Sequence, residues 1–266
     1  MGKGKPMSLP ALTGWAKTRT GLHQAAQVIG AVRAAVARPE PNWSHLGLRV
    51  VPHGLTTGAL ASVGELVLDF LALTILYSPL DHAPASFSLL RHTQRSLADV
   101  VERGLSASGH PVVLKRDKIT GEATLDFDPS LAADYARVLY LLAGIFQAFR
   151  EGLPGEKSPL VVWPHGFDLS FLWFATDVAR EEGPHMAFGF SPGSSGLDRP
   201  YIYSYVYPLP AGLTDHDLPP LTRWHTEGWT GTVTEYDDLV VADDAAAVVA
   251  DILHRLYAIL TPTLGG

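Results

Sequence analysis

Residues 128–152 read DPSLAADYARVLYLLAGIFQAFREG, and the rest of the chain is parsed outward from this stretch. Asp128 supplies an N-cap and Pro129 stands where a first-turn proline loses no hydrogen bond, so the pattern predicts a helix ending at Gly152. Val138, Leu141, Leu142, Ile145, Phe146 and Phe149 recur on one face. Asp134, Arg137, Gln147 and Arg150 argue against a membrane span, so the helix is expected to pack centrally.

Upstream, Leu22, Ala26, Ile29, Val32, Ala35 and Val36 predict a helix over residues 20–38, stopped by Pro39 and Pro41. Strand-like segments at 48–51, 65–77 and 86–90 follow, then a short helix over 96–105 capped by Ser96 with Glu102 on its exposed side, and a strand at 111–116. Downstream, strands are expected at 160–163, 169–174, 186–190, 201–207 and 231–236, and a last amphipathic helix over 243–260. Helix, strands, helix thus occurs twice. The repetition has an echo in residues: Val50-Val51-Pro52-His53-Gly54-Leu55 matches Val162-Trp163-Pro164-His165-Gly166-Phe167 at the constant offset 165 − 53 = 112. The expected fold is therefore α+β, with two pseudo-repeated helix/antiparallel-strand/helix halves, about 20–127 and 128–261, forming one domain between tails at 1–19 and 262–266.

Composition narrows the function classes. With 266 residues, 47% of them hydrophobic, the chain can bury a sizeable core. A net charge of −7 repels phosphate backbones, so nucleic acid is not an expected partner. The absence of Cys removes disulfides, thiolate metal sites and a Cys nucleophile, leaving His, Asp and Glu as metal ligands. The apolar stretch after the basic N-terminus is broken by Pro10, Thr13 and Gly14, and the run from Leu66 to Leu76 is interrupted by Asp69. Neither an export signal nor a membrane span is expected, and the protein reads as cytoplasmic. The closing Gly265-Gly266 is better explained as a floppy terminus than as a conjugated tail.

Chemistry-bearing residues concentrate in the second half. His165-Gly166-Phe167-Asp168 sets an imidazole and a carboxylate beside a glycine, and the two converge if the chain turns at Gly166. Trp224-His225-Thr226-Glu227-Gly228-Trp229 holds a second such pair between indoles, with Trp224 and Trp229 as candidate pocket walls. Gly189 to Gly193 fits the G-x-S-x-G nucleophile elbow, but Pro192 has no N–H for an oxyanion hole and no helix is expected to follow. Ser191, Tyr201 and Tyr203 enter as ligand contacts, and no short His/Asp/Glu cluster specifies a metal, though the donor types leave room for a divalent ion. No G-x-G-x-x-G or Walker run appears, so neither NAD nor ATP is signalled.

His53-Gly54-Leu55-Thr56-Thr57, then Trp163 to Leu169, Gly189-Phe190-Ser191-Pro192-Gly193 and Pro200-Tyr201-Ile202-Tyr203 together resemble an uncharacterised bacterial family, a domain of unknown function. The resemblance runs from about Leu22 to Tyr236 and implies one soluble domain with no established activity. In that family the His is often followed directly by Phe-Asp, so Phe167-Asp168-Leu169 fits the pattern more closely than His165-Gly166 does.

Two functions compete at this point. One is an enzyme that uses His165, Asp168, His225 and Glu227 for acid/base or metal-assisted hydrolysis or isomerisation of a small metabolite in an aromatic-lined pocket. The other is a non-catalytic small-molecule-binding protein, or an assembly protein whose aromatic strands form a homodimer surface. Convergence of the four residues in one pocket discriminates between them.

Overall fold

The computed structural model describes residues 8–264; the basic N-terminal residues and Gly265-Gly266 considered above lie outside them. The described chain combines helices with two antiparallel sheets, an α+β protein, and divides into two compact units.

The first unit comprises Leu12–Tyr140 with Val161–Phe167. Helix α1 spans Ala16–Val36, earlier at both ends than the periodicity predicts. Leu12 and Trp15 ahead of it are buried, as is Leu9, which belongs to the second unit. Strands β1 (Arg49–Val51), β2 (Gly54–Thr56), β3 (Glu65–Asp69), β4 (Thr74–Ser78) and β5 (Ala85–Ser88) form a sheet in sequential order. The single strand expected over 65–77 is thus a hairpin. Asp69 Oδ1 accepts the N–H groups of Leu71 (2.8 Å) and Ala72 (2.9 Å), an Asx-type turn that reverses the chain.

Helix α2, Gln94–Ala107, is capped by Thr93, with Ser96 returning a bond to the cap's own N–H. Residues 111–116 form no strand. The Leu114 N–H donates to Glu102 Oε1 (2.7 Å) and the Arg116 guanidinium binds the other carboxylate oxygen. A side chain of α2 thus takes the place of a neighbouring strand, and Glu102 is half-buried rather than on an exposed face. Helix α3 occupies Pro129–Gly152 as expected, its first N–H groups held by Asp128 Oδ1, and it passes from the first unit into the second after Tyr140. The short strand β6, Val161–Val162, returns to the first unit, where Leu48 and Val162 exchange backbone hydrogen bonds of 2.9 and 2.8 Å.

The second unit comprises Leu141–Leu160 and Asp168 onward, with the N-terminal segment ending at Ala11. Its strands are β7 (Leu169–Phe174), β8 (His185–Ser191), β9 (Tyr201–Tyr207), β10 (Thr222–His225) and β11 (Gly231–Glu235), arranged β10-β11-β9-β8-β7. Every residue of the central β8 is buried. A short helix α4, Tyr236–Val240, leads to α5, Ala245–Leu260. By length and hydropathy alone, Ala245–Leu264 passes for a membrane span. Val249, Ile252, Leu253, Leu256 and Leu260 form a buried stripe, however, while Asp251, His254 and Arg255 line the exposed side, the pattern of a helix packed on a core.

The expected repeat of whole halves is not confirmed. The first sheet is a sequential meander, whereas β11 inserts between β9 and β10 in the second. One local echo exists. The antiparallel bridge between Leu48 and Val162 sets Arg49 across from Val161, residues that the offset of 112 equates.

Candidate functional site

On β9, Tyr201, Tyr203 and Tyr205 alternate onto one face of the second sheet. The strand register aligns Tyr203 with Gly189 of β8, and Gly189 with Ser170 of β7. A Cβ on Gly189 would stand 2.3 Å from Cζ of Tyr203, so the glycine is what lets the ring lie across β8. The Tyr203 hydroxyl thereby reaches Asp168, just ahead of β7, and donates to its Oδ2 at 2.5 Å. Burial first, and then the Asp168 carboxylate, hold the Tyr203 phenol well above the usual tyrosine range. Burial likewise raises Tyr205, helped by Asp168 and Glu181, so both phenols remain protonated donors at neutral pH.

Other aromatics continue the cluster. The Trp229 ring centroid is 6.1 Å from that of Tyr203 and 4.6 Å from the imidazole of His225. Tyr201 lies 6.0 Å from Tyr203, and its hydroxyl is 2.9 Å from Ser194 Oγ. Asp168, Tyr201, Tyr203, His225 and Trp229, all expected as site residues, therefore meet here. Ser170 and Tyr205 were not foreseen, although the period-two spacing from Tyr201 and Tyr203 was a signal for Tyr205.

The remaining candidates fall elsewhere. Glu227 is exposed, and it is its backbone carbonyl, not its carboxylate, that accepts from His225 Nε2 (2.8 Å), because the chain folds back just after β10. Trp224 alternates to the opposite face of β10 from His225 and donates to the carbonyl of His216 at 3.0 Å. Ser191 is buried at the end of β8, where its Oγ accepts the Gly193 N–H (3.2 Å) in a hydroxyl turn, and no helix follows as a nucleophile elbow requires. His165 belongs to the first unit and is exposed there. Among the described residues, no three His, Asp or Glu side chains gather as metal ligands.

In the first unit, residues 163–167 form a turn in which Gly166 and Phe167 donate to the Trp163 carbonyl (3.2 and 2.7 Å). Phe167 is held at φ +60°, strained for a residue with a side chain, by the burial of its ring. That ring stacks on His23 of α1 at 5.3 Å and meets Tyr135 at 5.5 Å. His23 Nε2 faces the carbonyl oxygens of Pro164 (3.0 Å) and His165 (3.2 Å), which assigns the ring proton to Nε2. Burial pushes this imidazole below its usual range, partly offset by the two carbonyls, and the histidine is neutral. Beside the turn lies an open cavity of about 230 Å³ whose lining comes entirely from this unit and includes His165, Gln27, Lys115 and Lys118. His23 and Gln27 are not among the residues that the sequence nominates, since α1 carries several other polar residues, Arg19, Gln24 and Arg33 among them.

Fold and site together define an α+β protein with two antiparallel sheets and a phenol–carboxylate pair set among aromatic rings. The chain belongs to DUF5996, a family of unknown function, whose profile matches residues 8–264. No curated protein and no solved structure matches it.

Proposed function

We propose that the protein is an enzyme that carries out proton transfer on a small metabolite, with Asp168 as the base and Tyr203 as the hydrogen-bond donor to the oxyanion. The observation that carries this reading is the 2.5 Å hydrogen bond between the two groups within an aromatic, partly buried cluster. At rest the phenol donates to the carboxylate. A substrate carbonyl or ester oxygen that takes over as Tyr203's acceptor frees Asp168 to remove a proton from an adjacent carbon or from water, while the phenol stabilises the developing oxyanion. In isomerisation Asp168 returns the proton to the neighbouring carbon of the enolate; in hydrolysis the oxyanion collapses, the ester C–O bond breaks and Asp168 passes its proton to the departing alkoxide. Trp229, Tyr201 and Tyr205 supply the walls, and the raised phenol values support Tyr203 as a hydrogen-bond donor to the oxyanion, because a tyrosine that stays protonated keeps its O–H. A single carboxylate among phenols suits proton transfer better than metal-assisted chemistry.

The test is incubation of the protein with a metabolite extract, followed by mass spectrometry, for the wild type, Tyr203→Phe and Asp168→Asn. The expected outcome is a metabolite that the wild type converts and that each variant converts about 100-fold or more slowly. A wild type that converts nothing, or variants that match it, would overturn the proposal.

A second reading, non-catalytic ligand binding, has its own supporting observation. The polar groups of the cluster are already paired, His225 with the Glu227 carbonyl and Ser194 with Tyr201, as expected of a rigid binding wall. It expects a metabolite retained unchanged, and retained equally by Asp168→Asn.

A further inference from the structure

We infer that the cavity of the first unit is a binding site for a small monocarboxylate with an apolar body. This inference is independent of the Asp168–Tyr203 chemistry, since none of the lining residues belongs to that cluster. The floor is apolar: Gly30, Ala31 and Ala34 of α1, with Leu46, Ile119 and Pro164. The helix is cut back to small side chains along this face, and at Gly30 even a methyl would collide with Pro164, with Cβ 2.5 Å from its Cγ. The trough is therefore closed at one side by the 163–167 turn and left open over the two alanines. At about 230 Å³ it holds about eight water volumes, the size of a single-ring acid rather than of a nucleotide.

The rim supplies the charge. Lys115 and Lys118 face the cavity together with Asp117, and none of the three makes an ion pair among the described residues. Two cations against one carboxylate leave a net single positive charge, which matches a monoanion better than a phosphate ester.

Gln27 supplies an uncommitted donor. The Gly121 N–H donates to Gln94 Oε1 (2.9 Å) and the Gln94 amide nitrogen donates to the Lys118 carbonyl (3.2 Å), which fixes the orientation of Gln94. That same nitrogen donates to Gln27 Oε1 at 2.6 Å, so the Gln27 NH₂ is directed toward His23 Nε2, 3.2 Å away. An amide nitrogen carries two hydrogens, so beyond the one aimed at His23 the Gln27 NH₂ keeps a second N–H, and Gln27 lines the cavity in which a carboxylate would accept it.

The probe is sodium benzoate, titrated calorimetrically into the full-length protein, with benzamide as a control of the same shape and no charge. The expected result is millimolar or tighter binding of benzoate and binding of benzamide about tenfold or more weaker. The Lys115→Ala/Lys118→Ala double variant is expected to weaken benzoate about tenfold, and Gln27→Met several-fold. Ala34→Leu, at an exposed helical position that leaves every polar group in place, is expected to abolish binding by filling the trough. Thermal melts matching the wild type qualify each variant for comparison. Absence of benzoate binding by the wild type overturns the inference, as does benzamide binding equally well or benzoate affinity unchanged in Ala34→Leu.

Discussion

Gly189 has no side chain because Tyr203 lies over it, and this pair is the clearest case in which one residue's absence places another's function. Gly189→Ala sets a methyl 2.3 Å from the Tyr203 ring, so the ring must leave Asp168 or the strand must shift. The expected cost is about 1–3 kcal/mol, read as a lower urea midpoint with unchanged slope. A variant as stable as the wild type would show that the ring does not cross β8. His23 makes the corresponding statement in pH. Its folded value lies below the unfolded 6.5, so the unfolded chain binds more protons as pH falls through 6.5. The stabilisation from neutral His23 is therefore complete above that value and is lost as pH drops below it. Denaturation at about pH 7.5 and about pH 5 should show the wild type losing more stability than His23→Gln, whose amide can still donate to the Pro164 carbonyl. Equal losses would remove His23 from the pH response.

Among the elements, those with complete local signals were legible in the chain. Helix α3 runs from Pro129 to Gly152, and β7 and β9 run over 169–174 and 201–207, all as their caps and periodicities predict. Segments whose partner lies far away in sequence misled. Residues 111–116 alternate like a strand, yet it is the Glu102 carboxylate, itself bound by the Arg116 guanidinium, that accepts the Leu114 N–H. Asp69, which interrupts an apolar run, is the residue that turns it. The sequence places the cap of α2 at Ser96, whereas Thr93 holds that position and Ser96 is its reciprocal partner. Thr93→Ala should cost about 1 kcal/mol, because the Ser96 N–H loses its acceptor and the reciprocal bond loses its frame. A matched Ser96→Ala variant should cost less, and the reverse order in thermal denaturation would assign the cap to Ser96.

For the molecule as a whole, burial is uneven, and the core of the second unit lies on β8. All of its residues are buried and it has a strand on each side, whereas β10 ends its sheet. Amide exchange in the second unit should therefore be slowest in β8 and markedly faster in β10; comparable rates would mean that the sheet opens as a unit. The site divides along similar lines. Asp168, Tyr201, Tyr203, His225 and Trp229 could be nominated from the chain because aromatic and ionisable residues crowd the same short segments. Glu227 was nominated by the same rule, yet its carboxylate takes no part, since adjacency in sequence does not say which atoms turn inward. The α+β class, the family and the main helices and strands are legible along the chain, because caps, turns and periodicities act within a few residues. The order of the strands, the ring of Tyr203 over Gly189, and the reach of His23 to Pro164 across 141 residues emerge only on folding. Those depend on which distant surfaces exclude water together, and no local pattern encodes that choice.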